Sequence, residues 1–218
     1  MLAVSGWAED AKLEPYSPEL VKRAEAGDVK AQIGLAQCYG SGAGVAKDEK
    51  EAAKWLTKAA EQGDAVAQSK LGACYAQGRG ATQDYKEAVK WLTKAAEQGD
   101  AVAQFMLGFC YAEGYGVAQD HKEAVKWYTK SAEQGDAKAQ YNLGNYFING
   151  ERVAKDEKAA FEWFEKAAVQ GVAKAQYNLG ACYFTGSGVA RDEKEAVKWY
   201  TKGTEQGRIG VTGFKWHD

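Results

Sequence analysis

Four cysteines, Cys38, Cys74, Cys110 and Cys182, are the obvious place to look for chemistry in this chain. Thiolates attack carbonyls, bind metals and form disulfides. These four are spaced by 36, 36 and 72 residues, one to each turn of an internal period. Equivalent helices in neighbouring layers of a stack lie about 10 Å apart, beyond the roughly 7 Å Cα separation a disulfide tolerates. A metal site needs ligands that converge on a point, and thiols strung along a stack do not converge. Small buried core thiols are therefore expected. The two histidines are His121, at the start of a helix, and His217, in the final stretch. Neither has a nucleophile and an acid beside it, so both are expected on the solvated surface. No S-x-x-K and no G-x-S-x-G occurs.

Two further groups could do chemistry. Glycine-rich loops such as Gly186-Ser187-Gly188-Val189 precede helices whose N-termini attract anions. But Asp48, Asp84, Asp120, Asp156 and Asp192 sit at those N-termini, where a carboxylate takes the free N–H groups and repels phosphate. The loops read as plain turns. Glu51, Glu87, Glu123 and Glu195 read as capping-box partners of these aspartates, paired on the surface with Lys54, Lys90, Lys126 and Lys198. No residue set for catalysis or for a cofactor emerges.

The elements that carry these residues follow from a repeat. Blocks of 36 residues start at Val29, Ala65, Ala101, Ala137 and Ala173. Trp55, Trp91, Trp127, Trp163 and Trp199 fall in register, as do Gly42, Gly78, Gly114, Gly150 and Gly186. Each block reads as two helices. In the second block Asp64 caps helix A, which runs from Ala65 to about Ala76 and ends at Gly78. Asp84 caps helix B, whose Ala88, Trp91, Leu92, Ala95 and Ala96 form an apolar stripe that places the tryptophan ladder in the core. Gly99 ends helix B, and Asp100 caps the next helix A. One helix pair cannot bury both its stripes, so the pairs must stack. Residues 18–26 read as a capping helix, followed by repeats at 29–64, 65–100, 101–136, 137–172 and 173–208, within one solenoid over 16–208. Arg208 stands where a capping aspartate is due, and 209–218 reads as an irregular tail or the start of a continuing array.

The repeated unit A-x-A-Q-x-x-L-G-x-C-Y-x-x-G-x-G-V-x-x-D-x-x-E-A-x-x-W-x-x-K-A-A-E-Q-G-D closely resembles the Sel-one-like repeat (SLR) family, relatives of tetratricopeptide repeats. The fourth block departs most, with Tyr146 for Cys, Phe147 for Tyr and Arg152 at the second loop glycine. The resemblance implies an all-α, right-handed α/α superhelical solenoid of five helix-turn-helix repeats plus an N-terminal capping helix. It implies an adaptor that holds other proteins; members include exported host-factor binders, envelope regulators and immunity proteins. A cysteine-rich branch is described as β-lactamase or penicillin-binding, with cysteines paired within a repeat, helix A to helix B. No block here holds two cysteines, so that hydrolase reading stands second.

Composition limits the partners. With 218 residues and a net charge of −2, the chain offers no bulk attraction for nucleic acid or an anionic membrane. No apolar run approaches the roughly 18 residues of a membrane span. The expected partner is a protein or peptide, with the chain itself a monomer. The first 15 residues open with MLAVSGWAEDA, which reads as the tail of an export signal or as a plain terminus. The first reading places the protein in the periplasm or outside the cell, the second in the cytoplasm.

Binding residues are sought where the repeat breaks. On a helical wheel, slots 3, 7, 10 and 11 of helix A form the buried face, and slots 2, 5, 9, 12 and 13 lie opposite. Slot 5 carries Phe105, Tyr141 and Tyr177 in successive blocks, and slot 6 carries Met106, Asn142 and Asn178. Slot 9 adds Phe109 and Asn145; slots 12 and 13 add Ile148, Asn149 and Phe184. Aromatic rings give contact area at low entropic cost, and Asn pairs with backbone. These residues form either a concave partner surface or rings that pack on one another as the stack closes.

Overall fold

The computed structural model describes residues 14–150 and 153–207. The leader at 1–13, Arg152, and the tail from Arg208 with His217 lie outside the described residues. Among the described residues there are eleven helices and no strand. The chain divides into two compact units, residues 1–120 and 121–218. The first contains α1 (Pro18–Glu25), α2 (Val29–Ser41), α3 (Glu49–Glu61), α4 (Ala65–Gln77), α5 (Tyr85–Glu97) and α6 (Ala101–Glu113). The second contains α7 (His121–Glu133), α8 (Ala137–Asn149), α9 (Glu157–Val169), α10 (Ala173–Thr185) and α11 (Glu193–Gly207).

Polar and glycine residues set the helix ends. Asp28, Asp64, Asp100 and Asp136 each accept the N–H three residues on, at 2.7–3.0 Å. The α4 helix stops at Gly78 with φ +70°, a left-handed turn that glycine adopts without strain. α10 is the exception, because Val172 occupies its N-cap and supplies no side-chain bond.

At α3, α5 and α11 the aspartate half of the expected capping box forms. The Asp84 carboxylate takes the N–H groups of Lys86 and Glu87, at 2.9 and 3.1 Å. Glu87 does not accept the reciprocal bond, because the Asp84 N–H donates to the Tyr75 carbonyl at 3.0 Å instead. Asp48, Asp120, Asp156 and Asp192 do the same with the carbonyls of Tyr39, Tyr111, Phe147 and Tyr183. The short loop folds the last turn of helix A onto the first of helix B, and a backbone acceptor takes the place of the glutamate. Glu87 turns to Lys90 instead, at 3.0 Å.

A glutamine joint holds successive helices. Gln32, Gln68, Gln104, Gln140 and Gln176, in slot 4, are buried, and each donates at 3.1 Å to a carbonyl eight residues earlier, at the end of the preceding helix. Three of them also accept a bond from the glutamine thirty residues on: Gln62 to Gln32, Gln98 to Gln68, and Gln170 to Gln140. Buried amides satisfied this way cost little and fix the angle between elements. A second joint uses the second loop glycine. At Gly80, Gly116 and Gly188 an added Cβ would overlap the backbone carbonyl of Glu49, Tyr85 and Glu157. All three glycines have φ between +70° and +74°.

Helix B presents a fully buried side chain to a glycine of helix A. Leu92 lies over Gly72 and Phe164 over Gly144, at distances that leave no room for a Cβ. Leu56 and Leu92 are fully buried in the first unit; Phe164 and Tyr128 fill the same position in the second.

Candidate functional site

In the first unit each helix A buries more than its apolar stripe, since it packs on its own helix B and on its neighbours. This narrows the open face expected from the wheel. Slot 12 is closed in the first unit, where Gly40, Ala76 and Ala112 are buried. Met106 is fully buried as well, which removes it from the candidate surface. Slot 6 lies at the flank of the buried stripe, and an unbranched thioether bends from there into the core.

The other candidates fall into two groups. In the first unit Phe105 and Phe109 are half-buried on α6. The Phe109 ring packs 5.8 Å from Tyr115, which stacks on Tyr85 at 4.8 Å. In the second unit Tyr141, Asn142, Asn145, Ile148, Tyr177, Asn178 and Phe184 are half-buried and Asn149 is exposed. Tyr141 leans on Phe164, with centroids 6.2 Å apart, and Tyr177 on Tyr200 at 5.0 Å. Ile148 packs against the cluster around Phe164 and Leu179. The Phe184 ring carries the Arg191 guanidinium at 5.5 Å. The rings are thus anchored on the core by one edge and open by the other. Asn178 Nδ2 donates to Asn145 Oδ1 at 3.2 Å, which joins α8 and α10 into one surface.

The tryptophan ladder differs from expectation. Trp91 and Trp127 are 8% and 7% exposed, but Trp55, Trp163 and Trp199 are only half-buried. Each ring carries the ammonium of the lysine three residues on, from Lys58 at 3.9 Å to Lys202 at 4.4 Å. The indoles therefore close the outer edge of the core, with a cation–π contact of about 0.5–1 kcal/mol over each.

His121 also departs from a solvated surface role. It is half-buried, and its Nδ1 lies 3.1 Å from the Tyr146 hydroxyl. Both residues break the repeat, and they do so together: Tyr146 fills the slot of the cysteines and reaches the histidine. The four thiols are free and buried. Burial pushes Cys74 and Cys110 up to about 12 and Cys182 up to about 11. At neutral pH they are protonated and poor nucleophiles. Among the described residues no group of three or more His, Cys, Asp or Glu side chains is placed to hold a metal ion. No described helix is long and apolar enough to cross a membrane.

Residues 29–64, 65–100, 101–136, 137–172 and 173–207 each match the Sel1 repeat. The chain belongs to the Sel1 repeat family. Its fold is the all-α solenoid of that family. Among solved structures, this Sel1 repeat protein is similar to c5321, described as a protective antigen present in uropathogenic Escherichia coli strains and displaying an SLR fold. The identity is 36%, the TM-score 0.84, and the match covers 86% of this chain and 40% of that one. The chain thus spans 40% of the length of c5321. A Sel1 repeat protein from Oxalobacter formigenes shares 36% identity at TM-score 0.78, over 88% of this chain and 84% of its own. One from Klebsiella pneumoniae shares 26% at TM-score 0.56, over 89% and 94%. No curated protein matches the chain. Sel1 repeats generally mediate protein–protein interaction.

Proposed function

We propose that this protein is a non-enzymatic adaptor that holds a protein partner on the open face of α8 and α10. One observation carries the reading. The side chains that break the repeat in the second unit, Tyr141, Asn142, Asn145, Tyr177 and Asn178, collect on that face, and the Asn178–Asn145 bond makes it continuous. Half-buried aromatics held on the core lose little freedom on binding, which is what a partner-binding hot spot needs. The buried thiols and the His121–Tyr146 pair supply no activated nucleophile, which favours the adaptor over a hydrolase.

The adaptor works in the periplasm or outside the cell. The apolar opening MLAVSGWA supports this, as does similarity to a protein described as a protective antigen. Pull-down of the native chain followed by mass spectrometry should retrieve a stable partner. The double variant Tyr141→Ala/Tyr177→Ala, checked for retained helicity, should lose it. An unchanged partner yield from that variant would sink the assignment of the face. Turnover of a chromogenic cephalosporin that survived repurification would overturn the non-enzymatic reading.

A further inference from the structure

The α3 helix packs on the following α4, and α5 on α6. Ala53, Leu56 and Ala60 on α3, and Val89, Leu92 and Ala96 on α5, are buried. The same register on α11 holds Val197, Tyr200 and Thr204, and among the described residues no helix follows α11. Val197 is 48% exposed, against 6% at Ala53 and 8% at Val89, and Tyr200 and Thr204 are half-buried. Thr204 turns its hydroxyl back to the Thr201 carbonyl at 2.9 Å, so it asks for no polar partner. The row on α11 is thus an apolar face without a cover. The same end of the second unit holds an unmatched acceptor. Gln176 is buried and donates to the Ala168 carbonyl at 3.1 Å, but among the described residues its Oε1 has no hydrogen-bond partner. In Gln32, Gln68 and Gln140 that oxygen accepts from the glutamine thirty residues on. For Gln176 the residue thirty on is Gln206, in the last turn of α11. A buried acceptor left bare is costly, so this end is poised to close.

We propose that the chain's own segment 209–216 folds back along α11 and covers Val197, Tyr200 and Thr204. Its apolar residues come as two alternating pairs, Ile209 with Val211 and Phe214 with Trp216. That period of two puts the side chains of each pair on one side of an extended chain. Gly210 and Gly213 disfavour a further helix A in the same place. The reach fits. Eight extended residues span about 26 Å at ~3.3 Å each, and the fifteen residues of α11 rise about 22 Å. The segment begins two residues after α11 ends, so one turn sends it back over the row. As it seats, the last turn of α11 closes on α10 and Gln206 donates to Gln176 Oε1, which completes the glutamine ladder. The seated segment is also an intrachain stop: a second chain cannot lay a helix on a row that is already covered.

Two measurements on the full chain test this. Val197→Cys/Phe214→Cys is oxidised mildly at several protein concentrations; the four native thiols are buried and compete little. An intramolecular disulfide between the two introduced thiols should form, in a yield that does not depend on concentration. Amide hydrogen exchange is then followed by mass spectrometry. In Phe214→Ser/Trp216→Ser the amides of α11 should exchange about ten-fold faster than in the wild type, while those of α8 keep their rates and show that the fold is retained. Gln206→Ala should quicken the last turn of α11 several-fold. A disulfide between two chains, rising with concentration, would put a second copy on the row and overturn the proposal. Absence of any disulfide, or α11 exchange that ignores the loss of Phe214 and Trp216, would leave the row to an outside partner and overturn it equally. None of these results bears on the adaptor reading, which stands or falls on the Tyr141/Tyr177 pull-down.

Discussion

The two units, residues 1–120 and 121–218, use the same joints and fill them differently. Both bury a slot-4 glutamine against the carbonyl eight residues earlier, and both seat a loop glycine against a neighbouring helix B. The first unit keeps to the repeat, with Leu56 and Leu92 in the core and an aspartate before α2, α4 and α6. The second unit has Tyr128 and Phe164 in the core, tyrosines leaning on Phe164 and Tyr200, and no capping side chain at α10. Residues that hold layers together are under the same geometric constraint in every layer and so recur. Where the sequence departs, bulk is added both in the core and on the open face, and a capping side chain is given up at α10.

The joint should break equally in both units, and this is the largest effect expected. Gly80→Arg forces a Cβ into the Glu49 carbonyl at a φ of +70°, and Gly188→Arg does the same to Glu157. Each should cost about 3 kcal/mol or more in urea unfolding. A cost confined to one unit would refute a shared joint. The core substitution comes next. Gly144→Ala meets the Phe164 ring and should cost about 1–3 kcal/mol. Phe164→Leu in the same chain should recover part of that, because the first unit packs Ala36 in the same cluster as Leu56. A double-mutant cycle without coupling would show that the aromatic core is not what demands the glycine.

The cap gives a smaller effect of opposite sign. Val172→Asp should stabilise the second unit by about 1 kcal/mol, less the burial lost by Val172, and Asp64→Ala should destabilise the first by about 1 kcal/mol. Thermal melts of the two single variants check both signs. The thiols provide the finest comparison. Ellman's reagent at pH 8 should label Cys182 before Cys74 and Cys110, because the helix that carries it lacks a capping side chain. Folding holds Cys74 and Cys110 up near 12 and Cys182 near 11, against 9.0 for an unperturbed thiol. Above pH 9 the unfolded chain releases protons that the folded chain keeps, so their contribution to stability should fall as pH rises from 9 toward 11–12. Equal labelling rates in both units would remove the idea that the missing cap loosens α10.

Much of the scaffold was legible in the chain before any coordinates. The 36-residue period, the Asp64 and Asp84 caps, the Gly78 stop and the Cys and Leu core slots depend on residues near one another, whose spacing carries the signal. The candidate face was legible only as a set of departures from the repeat. Tertiary structure decided which of those departures turn inward. Met106 entered the core, slot 12 closed, Tyr146 reached His121, and the Asp84 amide chose the Tyr75 carbonyl over Glu87. It also gave Gln62 and Gln68 their partners and set the lysines over the tryptophans. Local sequence fixes where a helix starts, stops and turns its apolar stripe, because those choices rest on neighbours within one or two turns. Which flank of that helix is covered, and which amide is left open to a partner, depends on elements tens of residues away, and only packing settles it.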